Sequence, residues 1–225
     1  MLSEKSNLDL LNKRISELNI HCDKVIVFDF DELVVPIHLT REITQKVSKP
    51  LNKKLLSDLG SCSFKGLLYL NSLLYGYDFK EYETLRDKIA TKTKWTDGFE
   101  NLLSKLMKKY SIIFLSSGFK DICWAKLKQV GFDLRNILAG EIVVVNNKIS
   151  GSSIVISDEL KGYTIRKLKE NHRIIAVGHS LGDKSMLDNA DVSISVNSNI
   201  PDLAKFDVES LKEILTLIDE ESLLS

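Results

Sequence analysis

The chain has 225 residues, 44% of them hydrophobic and 28% charged, and its 31 basic residues balance 31 acidic ones. That composition suits a globular protein with a sizeable core, in one large domain or one domain carrying an insertion. The balanced charge gives no global field to attract nucleic acid or an acidic membrane, and no apolar run approaches the roughly 18 residues of a membrane span. The opening "MLSEKSNLDLLNKRISELNI" has no signal-peptide core. Its Leu8, Leu11, Ile15 and Leu18 recur at helical spacing, which predicts an amphipathic helix packed on the protein's own core. Cys22, Cys62 and Cys123 are scattered and form no C-x-x-C pair, so reduced thiols and a cytoplasmic location are expected.

"DKVIVFDF" is a continuous apolar run ending in carboxylates, the pattern of a strand buried on both faces. From about Thr40 to Lys94 the pattern is helical: "EITQKVSKPLNKKLLSDLG" stops at Gly60, "FKGLLYLNSLLYG" at Gly76, and "DFKEYETLRDKIATK" begins with Asp78 as its cap. "TDGFENLLSKLMKKY" predicts another helix, "SIIFLSSG" a second buried strand, and "FKDICWAKLKQVGF" a further helix. "EIVVVNNKISG" has strand chemistry on both sides of Asn146-Asn147, a hairpin signal. "DELKGYTIRKLKENH" is helical and feeds the strand "RIIAVG"; a short helix, the strand "DVSISV" and a last helix from about Val208 complete the chain. This order predicts an α/β fold with a mainly parallel sheet and a helical insertion after the first strand, residues 38–95, in a core formed by 1–37 and 96–225. The strand ends "FDFD", "LSSG" and "GHSLGD" then share one edge, where ligands of such sheets bind.

Each strand end offers chemistry. Asp29 and Asp31 flank one residue, and two carboxylates so close call for a cation between them or a proton on one; the bland alternative is a pair of hydrated carboxylates at a strand end. One could act as nucleophile while the other trades protons. Ser116, Ser117 and Gly118 offer a hydroxyl and backbone N–H groups to phosphate oxygens where a helix begins, although Ser-Ser-Gly is also common turn chemistry. Lys161 opens a helix and can bring a point charge to the same place.

In this order "VIVFDFDELV", "IIFLSSGF", Lys161 and "AVGHSLGDKSML" resemble the four motifs of the haloacid dehalogenase (HAD) superfamily of phosphohydrolases. Around "FLSSGFKDICWAKL", "AGEIVVVNNKISG" and "GDKSMLDNADVSISV" the chain looks most like the phosphoserine phosphatase branch. The resemblance covers nearly the whole chain and implies a Rossmann-like core with a helical cap, and a phosphatase acting on a small phosphorylated metabolite. It also implies roles. Asp29 would attack phosphorus and form an aspartyl-phosphate. Asp31 would protonate the leaving oxygen and then activate water. Ser116 and Lys161 would hold the phosphoryl oxygens, with Ser117 and Gly118 beside them. A Mg²⁺ would sit between Asp29, the backbone carbonyl of Asp31 and a carboxylate of the fourth motif.

The sequence departs from the family at several positions. The fourth motif usually reads G-D-x-x-x-D, and His179 stands where its first, metal-binding Asp is expected. Imidazole suits softer ions than Mg²⁺, so weak Mg²⁺ binding is expected, with Mn²⁺, Co²⁺ or Ni²⁺ as alternatives. Asp183 remains to bind the metal directly or through water. Glu32 and Leu33 replace a small residue and a Thr or Val. His38 stands where the phosphoserine enzymes carry a Glu that reads the substrate's amino group, and a gapless match places Asn71 where they carry a carboxylate-reading Arg. Phosphoserine is therefore not the expected substrate. His21 and His172 read as solvated or packed side chains. Two further readings stay open: a degenerate member that binds a phosphorylated ligand or partner without turnover, and a phosphoryl transfer to an acceptor other than water.

Overall fold

The computed structural model describes residues 3–47 and 63–220. In chain order these form α1 (Glu4–Ser16), β1 (Lys24–Phe28), α2 (Leu39–Val47), α3 (Phe64–Ser72), α4 (Phe79–Lys92), α5 (Phe99–Leu106), β2 (Ser111–Phe119), α6 (Lys120–Leu127), β3 (Ile137–Val145), β4 (Lys148–Ile154), α7 (Asp158–Lys169), β5 (Arg173–Gly178), α8 (Lys184–Asn189), β6 (Val192–Val196), β7 (Phe206–Val208) and α9 (Leu211–Glu220). The end of the helix read from "EITQKVSKPLNKKLLSDLG", and Cys62, lie outside the described residues.

The strands form one seven-stranded sheet in the order β4-β3-β2-β1-β5-β6-β7. All neighbours are parallel except the β3–β4 hairpin, so the chain has the expected mainly parallel α/β architecture. Strand periodicity divides the core in two. Ile26, Phe28, Ile112, Phe114, Ile175 and Val177 face one way, into a cluster with Leu102 and Leu106 of α5, Leu127 of α6 and Ile214 of α9. Val25, Val27, Ile113, Leu115, Ile174 and Ala176 face the other, against Leu11 of α1, Ile165 of α7 and Met186 of α8. Burial on both faces is why these strands read as unbroken apolar runs.

The segment between β1 and β2 is helical in its described part. Leu39, Ile43 and Tyr82 from α2 and α4 join the first cluster, so these helices share the sheet's own core. Asn146 and Asn147 both take positive φ (50° and 59°), which makes the compact hairpin turn their sequence predicts. The chain's end differs from the sequence reading. Val208, expected at the start of the last helix, closes the short strand β7, with Asn197 N–H bonded to its carbonyl at 2.8 Å. The helix begins only at Leu211, beyond Ser210, whose hydroxyl bonds Glu213 at 2.7 Å.

Candidate active site

Parallel pairing brings the carboxyl ends of β1, β2 and β5 to one edge. Asp29 extends the β1 ladder by one bond, from its N–H to the carbonyl of Val177 at 2.9 Å. Phe30 turns inward and meets Phe114 edge-on, which leaves the buried carboxylates of Asp29 and Asp31 on the other side of the chain. The backbone then turns through Glu32, held at φ 61°. Asp31 Oδ1 accepts the Leu39 N–H at 2.9 Å, at the start of α2, and its Oδ2 lies 3.1 Å from His38 Nδ1. An unsatisfied amide at a helix start is a natural partner for a carboxylate.

Lys161, 2% exposed near the start of α7, joins two carboxylates: its Nζ lies 2.7 Å from Asp29 Oδ1 and 2.6 Å from Asp183 Oδ1. Two glycines permit this convergence. A Cβ on Gly162 would fall 2.8 Å from the Cβ of Ser185 in α8, and one on Gly178 would fall 2.7 Å from the Cβ of Asp183. Asp183 is fully buried, and its Oδ2 accepts from the N–H of His179 (3.0 Å) and from the N–H and hydroxyl of Ser180 (both 3.1 Å). Both Asp183 oxygens are therefore engaged, which suits it to fixing the loop and Lys161. On β2, the buried Ser116 Oγ accepts the Gly118 N–H at 3.0 Å.

The His179 ring lies beside these carboxylates. Nδ1 is 3.5 Å from Asp29 Oδ2 and 3.4 Å from Asp183 Oδ2, and Nε2 is 3.9 Å from Glu32. These distances permit ion pairing but no well-formed hydrogen bond, and buried Nδ1 makes none among the described residues. Burial disfavours the charged ring, yet contact with Asp183 and the field of Asp29 outweigh it and raise the His179 pKa to about 9. Burial raises Asp29, with the charge of Asp183 adding to it against the pull of Lys161 and His179. For Asp183, Lys161 and His179 overcome burial and hold the carboxyl well below its usual range. Burial likewise opposes a charged His38, and Asp31 outweighs it, so that pKa is raised too.

A cavity of about 140 Å³ opens onto Asp29, Asp31, Ser116, Ser117, Gly118 and Lys161, with His38, His179 and Asp183 in its lining as well. Asn71 is not brought there. It lines a separate cavity with Tyr75 and Val143, because α3 sits toward the β3–β4 hairpin, with Leu67 and Leu70 packed on Val155; its expected position beside the substrate is corrected accordingly. Two lining residues, Arg41 and Ser180, had drawn no attention in the sequence. Arg41 lies one turn beyond His38 in α2, and that spacing is the only signal the sequence offered.

Asp29, His179 and Asp183 present ligand atoms within 4.8 Å of one another. Since Asp183 is already engaged, the open donors are Asp29 Oδ2 and His179 Nδ1. A carboxylate oxygen beside a buried imidazole nitrogen that makes no hydrogen bond among the described residues fits a divalent cation that accepts nitrogen, and fits Mg²⁺ less well. A cation at Nδ1 must displace the proton that these carboxylates favour there.

No protein-family model and no curated protein matches the sequence. Solved structures do match. The phosphoserine phosphatase of T. onnurineus is 21% identical, with a TM-score of 0.67 over 88% of this chain and 94% of that one. A substrate-bound phosphoserine phosphatase is 24% identical, with a TM-score of 0.68 over 88% and 99%. A HAD family hydrolase of Salmonella enterica serovar Typhi is 15% identical, with a TM-score of 0.73 over 90% and 73%. The chain therefore shares its fold with these phosphoserine phosphatases and with this HAD family hydrolase.

Proposed function

We propose that the chain is a metal-dependent phosphatase that hydrolyses a small phosphate monoester through an aspartyl-phosphate on Asp29. The observation that carries this reading is the buried Asp29–Lys161–Asp183 bridge opening onto a cavity shared with Asp31 and Ser116. Lys161 steadies the Asp29 carboxylate at Oδ1, and one carboxylate oxygen of Asp29 attacks phosphorus. As the P–O bond to Asp29 forms, the bond to the leaving oxygen breaks, and Asp31 supplies that oxygen's proton. The Asp31 carboxylate then takes a proton from the water that hydrolyses the acyl phosphate, which frees phosphate and restores Asp29. Ser116 and Lys161 hold the phosphoryl oxygens in place. Asp29, His179 and the Asp31 backbone carbonyl would hold the divalent cation, which when bound offsets the repulsion between the Asp29 carboxylate and the phosphate.

Among the described residues no helix is long and apolar enough to cross a membrane, and a cytoplasmic location with a small phosphorylated metabolite as partner is part of the reading. The test is hydrolysis of a generic aryl phosphate with a panel of divalent metals, together with Asp29→Asn. Metal-dependent release of phosphate that disappears in the variant is expected; turnover surviving in Asp29→Asn at near the original rate sinks the mechanism. His179 favours a second reading. Its ring lies within ion-pairing distance of Asp29 and Asp183, so an imidazolium there neutralises the floor without a metal. A chain that binds phosphorylated ligands without turnover would then show binding but no hydrolysis with any ion in the panel.

A further inference from the structure

The groups on the floor of the cavity are already matched to one another. Lys161 is held by Asp29 and Asp183, His179 faces the same two carboxylates and Glu32, and His38 faces Asp31. Arg41 is the exception. It is exposed on α2 and lines the same cavity, and its guanidinium has no hydrogen-bond or ion-pair partner among the described residues. Its place also has a direction: the Arg41 N–H lies 3.4 Å from His38 Nδ1, and that ring contacts Asp31, the residue assigned to protonate the leaving oxygen. A leaving group that extends from Asp31 along the first turn of α2 therefore meets Arg41.

We propose that Arg41 reads a second anionic group, a carboxylate or a phosphate, on the leaving-group side of the substrate, an assignment that rests on the phosphatase reading for where the phosphoryl group sits. A guanidinium presents a planar fork of donors matched to the paired oxygens of either anion. An exposed Arg gives up little hydration by meeting such a partner, whereas an ammonium on the leaving group would be repelled. Arg41 and the phosphate-side residues Ser116 and Lys161 line the same small cavity, so the second charge is read close to the phosphate. Glu32, exposed in the same lining, lies 3.9 Å from His179 Nε2, and its charge also reaches His38.

The test compares ethyl phosphate, phosphoglycolate and propanediol bisphosphate as substrates of the wild-type protein, Arg41→Gln and Arg41→Lys. The readout is the ratio of kcat/KM for each anionic ester to that for ethyl phosphate. In the wild type at least one ratio should reach about tenfold to a hundredfold, the range of one charge-assisted hydrogen bond, and the gain should lie mainly in KM. Arg41→Gln should bring that ratio close to one, and Arg41→Lys should keep part of it. The arm that responds identifies the anion. A ratio that is the same in wild type and Arg41→Gln overturns the proposal. Calorimetric binding of the three esters to Asp29→Asn, with and without Arg41→Gln, separates the two readings. Selective binding that depends on Arg41, without turnover in the wild type, removes the phosphatase reading and keeps the Arg41 assignment; binding indifferent to Arg41, or none, removes the assignment.

Discussion

Asp29 has two kinds of neighbour, and they set different tests. On one oxygen Lys161 donates at 2.7 Å, and on the other His179 approaches at 3.5 Å. Asp29→Asn keeps the shape and an acceptor for Lys161 but removes the nucleophile, so turnover should fall to background. Asp31→Asn should slow both proton transfers and leave a measurable rate. For His179 the expected outcome has the opposite sign. His179→Asp replaces an imidazole by a hard anionic donor, so Mg²⁺ affinity should rise about tenfold or more. Equal Mg²⁺ affinity in the two proteins, read by metal titration, would mean that His179 does not face the ion.

Elements transmit these residue effects through two close contacts. A Cβ on Gly118 would lie 2.4 Å from Thr40 Oγ1 and 3.1 Å from Asp31 Oδ2. Gly118→Ala must therefore push α2 or Asp31, and kcat/KM should drop by about tenfold or more, since about an ångström of misplacement is that costly. Thr40→Ala added to it should recover part of the loss, and a double variant no better than the single one would put the contact elsewhere. At the far end of the sheet, Asn7 of α1 donates to the Val155 carbonyl and accepts the Val155 N–H, both at 2.9 Å and buried. Asn7→Leu strands both groups and should cost about 2–5 kcal/mol in urea unfolding; a loss under about 0.5 kcal/mol would show that the pair contributes nothing to stability.

At the scale of the molecule, legibility followed burial. β1, β2 and β5 were readable because both faces of each are covered, and Asn146-Asn147 because a two-residue turn demands those φ values. β7 was not, since Phe206–Val208 is three partly exposed residues whose strand exists through pairing with β6. Asn71 misled because a gapless match cannot see α3 settle against the hairpin, and Arg41 was passed over because a lone helical charge reads as solvated. Strand order then decided which charges met. Parallel pairing of β1 with β5 sets His179 beside Asp29, and contact with Asp183 together with the field of Asp29 makes the ring contribute to global stability. His179 is raised from 6.5 to about 9 in the folded protein. Below pH 6.5 both states hold the proton and the stabilisation is complete. Between 6.5 and 9 only the folded state holds it, and the contribution, on the order of 3 kcal/mol, is lost as pH rises through the folded value. His38, raised by Asp31, acts with the same sign. In metal-free buffer the wild type should lose stability from about pH 6.5 to 9, while His179→Gln, with no such proton to release, should show a shallower decline. Parallel pH profiles of urea midpoints for the two proteins would remove His179 as the source.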